Sequence, residues 1–158
     1  MITLDNIFTY IYHQLHENKS LESCKTILKL YNASDYVQYI TEGEYNDYGY
    51  KRILVDKCNL FDMYILMWKP GAQSPIHDHP EHGCYMKVLH GELDEYVFDR
   101  NCNIHSMYAR EEHYIGFMKK DYMLHSIENN TDSIAISLHI YSPPNIKPKL
   151  YNVRSMSI

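Results

Sequence analysis

The sequence predicts a mainly β protein, a small barrel or sandwich, preceded by a short helical region. Three observations lead there. Apolar residues recur at helical spacing only as far as about residue 46. From residue 50 they fall instead into short runs rich in β-branched and aromatic side chains. Closely spaced turn clusters divide those runs, as in sandwiches and barrels. The 158 residues, 45% hydrophobic and 22% charged, suffice for one domain with a real core. We therefore expect one domain over 1–158, with a helical cap at 1–46 and a barrel at 47–158.

In the cap, Ile7, Ile11 and Leu15 recur every four residues. Leu21, Cys24, Ile27, Leu28 and Tyr31 form a second stripe, with Ser20 placed to cap it. Ser34 is expected to cap a third short helix carrying Tyr36, Val37 and Ile40. "TEGEYNDYGY" (41–50) then ends the helical pattern with two glycines and a polar cluster. The expected strands are "YKRILVD" (50–56), "DMYILMW" (62–68), "CYMKVLH" (84–90), "ELDEYVF" (92–98), "HYIGFM" (113–118) and "SIAISLHIY" (133–141).

Composition narrows the function classes. A net charge of −5 and a pI near 6.0 argue against nucleic acid or an anionic membrane as partner. "MITLDNIFTY" has no basic region of the secretory kind, and no apolar run approaches the roughly 18 residues of a membrane span. Cys24, Cys58, Cys84 and Cys102 lie far apart with no C-x-x-C pair. That fits a reducing compartment, the cytoplasm, better than a disulfide framework.

The stretch "SPIHDHPEHGCYMK" (74–87) holds three histidines and a cysteine. On a strand, His77 and His79 share a face and both imidazoles can point to one ion. Gly71 and Gly91 extend the pattern to G-x5-H-x-H-x4-C-x6-G. This resembles the first motif of the cupins, small jelly-roll β-barrels that hold a metal inside. Cys84 stands where most cupins have a glutamate ligand. Glu81 and His82 read as solvated turn residues, and Asp78 points to the opposite face. "DYMLHSIEN" supplies His125 and, four residues on, Asn129. That resembles the end of the second cupin motif, without its usual glycine and proline, and makes His125 the expected third ligand. Three neutral imidazoles suit Fe(II), Zn(II), Cu or Ni, so ligand type alone does not choose the metal.

Two further stretches narrow the choice among cupins. In "SLHIYSPP" (137–144), Ser137, His139 and Tyr141 alternate with Leu138 and Ile140, which is either a solvent-facing strand or a hydrogen-bonded row. In "YKRILVD", Arg52 lies between Tyr50 and an apolar run. With the histidine motifs, these stretches resemble the cysteine dioxygenase family over about residues 48–148.

That resemblance implies an Fe(II) enzyme, one iron per chain, acting on L-cysteine and O2 as a monomer. It implies His77, His79 and His125 as iron ligands, Arg52 and Tyr50 in the substrate pocket, and Tyr141 backed by His139 and Ser137 as catalytic groups. It further implies a thioether between Cys84 and Tyr141, as in the animal members. Trp68 also falls where the family has a tryptophan. The short stretch after the S-P-P turn, "NIKPKLYNVRSMSI", leads us to expect a shortened barrel edge. The alternatives are a 3-mercaptopropionate or other small-thiol dioxygenase and a non-catalytic metal-binding cupin. The 3-mercaptopropionate enzymes carry glutamine in place of the arginine, so Arg52 argues against that reading.

Overall fold

The structure is a computed structural model and describes residues 1–151; part of the expected shortened edge, 152–158, lies outside the described residues. Helix α1 (Leu4–His16) starts at Thr3, whose side chain accepts from the Asn6 amide while the Asn6 side chain accepts from the Thr3 amide. This reciprocal cap satisfies two amides that the helix leaves without partners. Ser20 caps the second segment through the Ser23 amide, but that segment begins as a 3-10 turn, Leu21–Cys24, before becoming α2 (Lys25–Leu30). The third segment is only a 3-10 turn, Asp35–Tyr39, and the Ser34 side chain makes no cap hydrogen bond. Asp35 is instead tied to other helices, accepting from the Leu4 amide at 2.8 Å and from the Tyr31 hydroxyl at 2.5 Å.

Ten strands follow: β1 (Tyr50–Lys57), β2 (Asp62–Trp68), β3 (Ile76–His77), β4 (Cys84–His90), β5 (Leu93–Phe98), β6 (Ile104–Arg110), β7 (Ile115–Met118), β8 (Leu124–Glu128), β9 (Ala135–Tyr141) and β10 (Leu150–Tyr151). They form two five-stranded antiparallel sheets, ordered β1-β2-β9-β4-β7 and β10-β3-β8-β5-β6. Six of the ten coincide with the expected runs. Strands β3 and β10 are two residues each, too short to show a period. The edge strand β6 is mostly exposed and carries no apolar alternation. Strand β8 is almost wholly buried although two of its five residues are His125 and Ser126.

The first sheet is covered on both faces. Ile136, Leu138 and Ile140 of β9, with Met63, Ile65 and Tyr85, pack against Ile7, Ile11 and Leu28 of the helices. The alternate residues Ser137 and His139 face the barrel interior and are also buried. The row in "SLHIYSPP" is therefore interior rather than solvent-facing, because the helical cap covers the apolar face that would otherwise be the core side.

Buried polar contacts fasten the cap. Lys87 of β4 donates from Nζ to the Leu28 and Tyr31 carbonyls, and the Tyr85 hydroxyl donates to the Glu22 carbonyl. Lys51 of β1 donates to the Ile40 carbonyl at 2.7 Å. A helix C-terminus leaves carbonyls without partners and attracts a cation, so Lys87 completes α2 as it docks it. Lys87→Met should destabilise the fold by about 1.5–3 kcal/mol, the usual worth of hydrogen bonds to a charged group. The check is a lowered urea midpoint at unchanged slope.

Candidate metal centre and substrate pocket

Strands β3 and β8 lie side by side with His77 paired to His125. His79 lies two residues past His77, in the irregular segment between β3 and Pro80, and its imidazole comes to the same place as that of His77. The ring centroids are 4.5 Å apart for His77 and His125, and 4.4 Å for His79 and His125. One nitrogen from each of the three lies within 4.8 Å of the other two.

The protonation pattern follows from the partners. His77 Nδ1 is 2.8 Å from the Pro75 carbonyl, which only accepts, so Nδ1 carries the proton. His125 Nδ1 is 2.8 Å from Glu95 Oε2 and carries its proton for the same reason. Both Nε2 atoms then present lone pairs, and they face each other at 3.0 Å. Neither can donate to the other while the rings are neutral, so the contact calls for a cation. His79 adds to the case, since both its nitrogens are buried without a hydrogen-bond partner among the described residues. Burial, then the neighbouring imidazole of His125, depresses His77 to about 3 and His79 to about 2, which keeps both rings neutral and free to ligate. These three side chains fit a divalent metal.

Glu95 is a site residue that the motif reading missed. It is buried on β5, diagonal to His125 across the β5–β8 ladder. Arg110 of β6 donates to Glu95 Oε1 from Nε at 3.1 Å and from Nη2 at 2.9 Å. Burial alone would raise the Glu95 carboxyl, but hydrogen bonds from His125 and Arg110 outweigh it and hold the group below its usual range. A signal was present in "ELDEYVF": Leu93, Glu95 and Val97 share one face, and an acid between two apolar residues of an inward face needs a partner inside.

The opposite sheet supplies a relay of hydrogen bonds. The indole N–H of Trp68 donates to Ser137 Oγ at 2.9 Å. Ser137 Oγ lies 2.8 Å from His139 Nε2, and His139 Nδ1 lies 3.2 Å from the Tyr141 hydroxyl. Because the indole is only a donor, the Ser137 proton goes to Nε2. The His139 proton then sits on Nδ1 and is given to the Tyr141 oxygen. This leaves the Tyr141 proton directed away from His139, available to the cavity. Burial lowers His139 and raises Tyr141, so the ring stays neutral and the phenol stays protonated.

Arg52 stands on the edge strand β1 and is exposed, not enclosed. Its guanidinium lies 4.3 Å from the Tyr64 ring and 5.3 Å from the Tyr141 ring, and it forms no ion pair among the described residues. Tyr64, also missed, shares the inward face of β2 with Leu66 and Trp68. Tyr50 packs on Trp68 with centroids 4.6 Å apart. Cys84 is buried and directly opposite Tyr141 in the β4–β9 ladder, its thiol pushed up to about 12 by burial. Arg52, the three histidines, Cys84 and Tyr141 line one cavity of about 90 Å³.

The remaining candidates fall outside this cavity or at its rim. Glu81 and His82 are exposed in the turn, and Asp78 accepts from the Lys149 amide. Asn129 donates to the Trp68 and Ser133 carbonyls, fixing the β8–β9 turn. The expected shortened edge is occupied, since Leu150 of β10 pairs with His77 and Ile146 and Pro148 close the cavity. No helix among the described residues is long and apolar enough to cross a membrane.

Comparison with known proteins bears on the fold and the family. Solved structures share the fold. A double-stranded β-helix domain protein of Klebsiella pneumoniae superposes with a TM-score of 0.62 at 16% identity, covering 77% of this chain and 98% of that one. An RmlC-like cupin of Shewanella frigidimarina gives 0.53 at 19% identity, covering 68% and 89%. Cysteine dioxygenase type 1 of Danio rerio is 30% identical over 155 residues, 90% of this chain and 75% of its own length. The Homo sapiens protein of that name is 34% identical over 144 residues, 85% and 72%. Residues 5–154 match the family described as cysteine dioxygenase type I. With a cupin barrel, a histidine triad inside it and a match over nearly its whole length, the chain belongs to the cysteine dioxygenase type I family.

Proposed function

We propose that the protein is an Fe(II)-dependent dioxygenase that converts L-cysteine and O2 to cysteine sulfinic acid. The observation that carries this reading is one small cavity lined both by a cation-seeking histidine triad and by an arginine without an ion-pair partner among the described residues. His77, His79 and His125 would hold the iron, which when bound supplies a place where the substrate thiolate and O2 meet.

The chain's own groups do the rest. Arg52 receives the substrate carboxylate, its plane held against the faces of Tyr64 and Tyr141. Tyr141 offers its proton to the substrate side of the cavity, because His139 already supplies a donor to its oxygen. The apolar side chains of Leu66, Met86 and Ile127 keep bulk water from the reacting sulfur. Both atoms of O2 enter the product and no external reductant is consumed. The test is oxygen uptake by the iron-loaded protein with cysteine, cysteamine and 3-mercaptopropionate, with product formed under ¹⁸O2. Cysteine should be turned over best and its sulfinate should carry two labelled atoms. Preference for either other thiol, or no uptake with any, would overturn the proposal.

We further propose a thioether between Cys84 and Tyr141, a reading supported by their pairing as cross-strand neighbours in the β4–β9 ladder. Formation would remove one hydrogen from the thiol and one from the phenol ring, and O2, taking up both, would be reduced to hydrogen peroxide. The bond would fix the Tyr141 ring, on whose face Arg52 rests. Repeated turnover should build a protein population two hydrogens lighter, with the peptides of Cys84 and Tyr141 joined in tandem mass spectrometry. Cys84→Gly should stay active and never show that species. Its appearance in Cys84→Gly would sink the assignment.

A further inference from the structure

His125 has on its far side a built assembly that the motif pattern does not contain. Glu95 accepts its Nδ1 proton, Arg110 grips the other carboxylate oxygen with two N–H groups, and the Arg110 guanidinium lies 4.1 Å from the ring of Tyr108 and 4.1 Å from that of Tyr114. His77 has only a neutral carbonyl behind it and His79 has nothing among the described residues. One of the three imidazoles is thus singled out for a carboxylate, and that carboxylate is shared with a guanidinium.

We propose that Glu95 is the positioning residue of the metal centre and that Arg110 sets how strongly it acts. The acid that most cupins place on the metal at the position of Cys84 is here moved one bond network outward, behind His125. A carboxylate behind a ligating imidazole fixes the tautomer and ring orientation and makes the facing nitrogen a stronger donor. Arg110 opposes this, because each hydrogen bond it gives to Glu95 draws negative charge away from His125. The two tyrosine faces hold the guanidinium in that place. A purely structural ion pair would behave differently, since either partner's loss would then loosen the same scaffold.

The inference rests on the metal-binding reading of the triad, and cobalt(II) added to metal-free protein tests both separately. Affinity comes from the titration, and the hyperfine-shifted imidazole N–H signals of the cobalt form report on the ligand rings. Glu95→Gln should bind cobalt roughly ten- to hundredfold more weakly, the usual cost of losing such a partner, with the His125 N–H signal shifted and exchanging faster with water. Glu95→Asp should recover part of both. Arg110→Gln should bind more tightly than the unaltered protein and move the same N–H signal in the opposite sense. Unchanged affinity in Glu95→Gln, or weakening in Arg110→Gln, would overturn the proposal. If Glu95→Gln does not fold, the sign of the Arg110→Gln effect decides alone. Equal cobalt binding by the unaltered protein and His125→Ala would instead remove the metal reading itself.

Discussion

Alanine at His77, His79 or His125 should abolish iron retention and, on the proposed function, reduce cysteine turnover by roughly a thousandfold or more, since an iron held there would carry the chemistry. Each histidine contributes one lone pair toward a common point, and no other His, Cys, Asp or Glu cluster among the described residues offers a substitute. The measurement is iron per chain after desalting, followed by oxygen uptake. His82→Ala is the control, because His82 is an exposed turn residue near the triad in sequence only. The three variants should differ in the metal-free state. His79→Ala removes two buried nitrogens that have no partner among the described residues, a burden of about 1–3 kcal/mol each when left unpaired. Its metal-free fold should therefore be little weakened. His125→Ala takes a hydrogen bond from the buried Glu95 and should be weakened more. Loss of iron from His82→Ala with retention in His125→Ala would show that the triad is not the site.

Arg52→Gln should collapse the preference for cysteine over cysteamine, which lacks the carboxylate. A charge-assisted hydrogen bond is worth about 1.5–3 kcal/mol, a ten- to hundredfold change in efficiency. The exposure of Arg52 on an edge strand places the expected loss at the lower end, about tenfold, because water screens the pair. The loss should appear for cysteine in kcat/KM and not for cysteamine. Equal losses with both thiols would mean that Arg52 supports the barrel edge rather than the substrate carboxylate.

The sequence by itself determined what depends on local chemistry and period. Six strands were legible because branched and aromatic residues alternate between turn clusters, and the Ser20 cap because a side-chain oxygen before an apolar stripe has a local partner. His77 and His79 were legible as candidates by their spacing, while Arg52 entered only through the family resemblance. Only the tertiary structure decided which of them meet. His79 lies outside any strand, and its imidazole meets those of His77 and His125 only in the folded barrel. The row on β9 is interior because helices more than a hundred residues earlier cover its apolar face. Glu95 and Tyr64 left no spacing motif, since a side chain that acts through a partner on a neighbouring strand is located by ladder register and not by distance along the chain. Arg52 lies at the rim because its strand ends a sheet, and strand order is a property of the folded sheet that no local window contains.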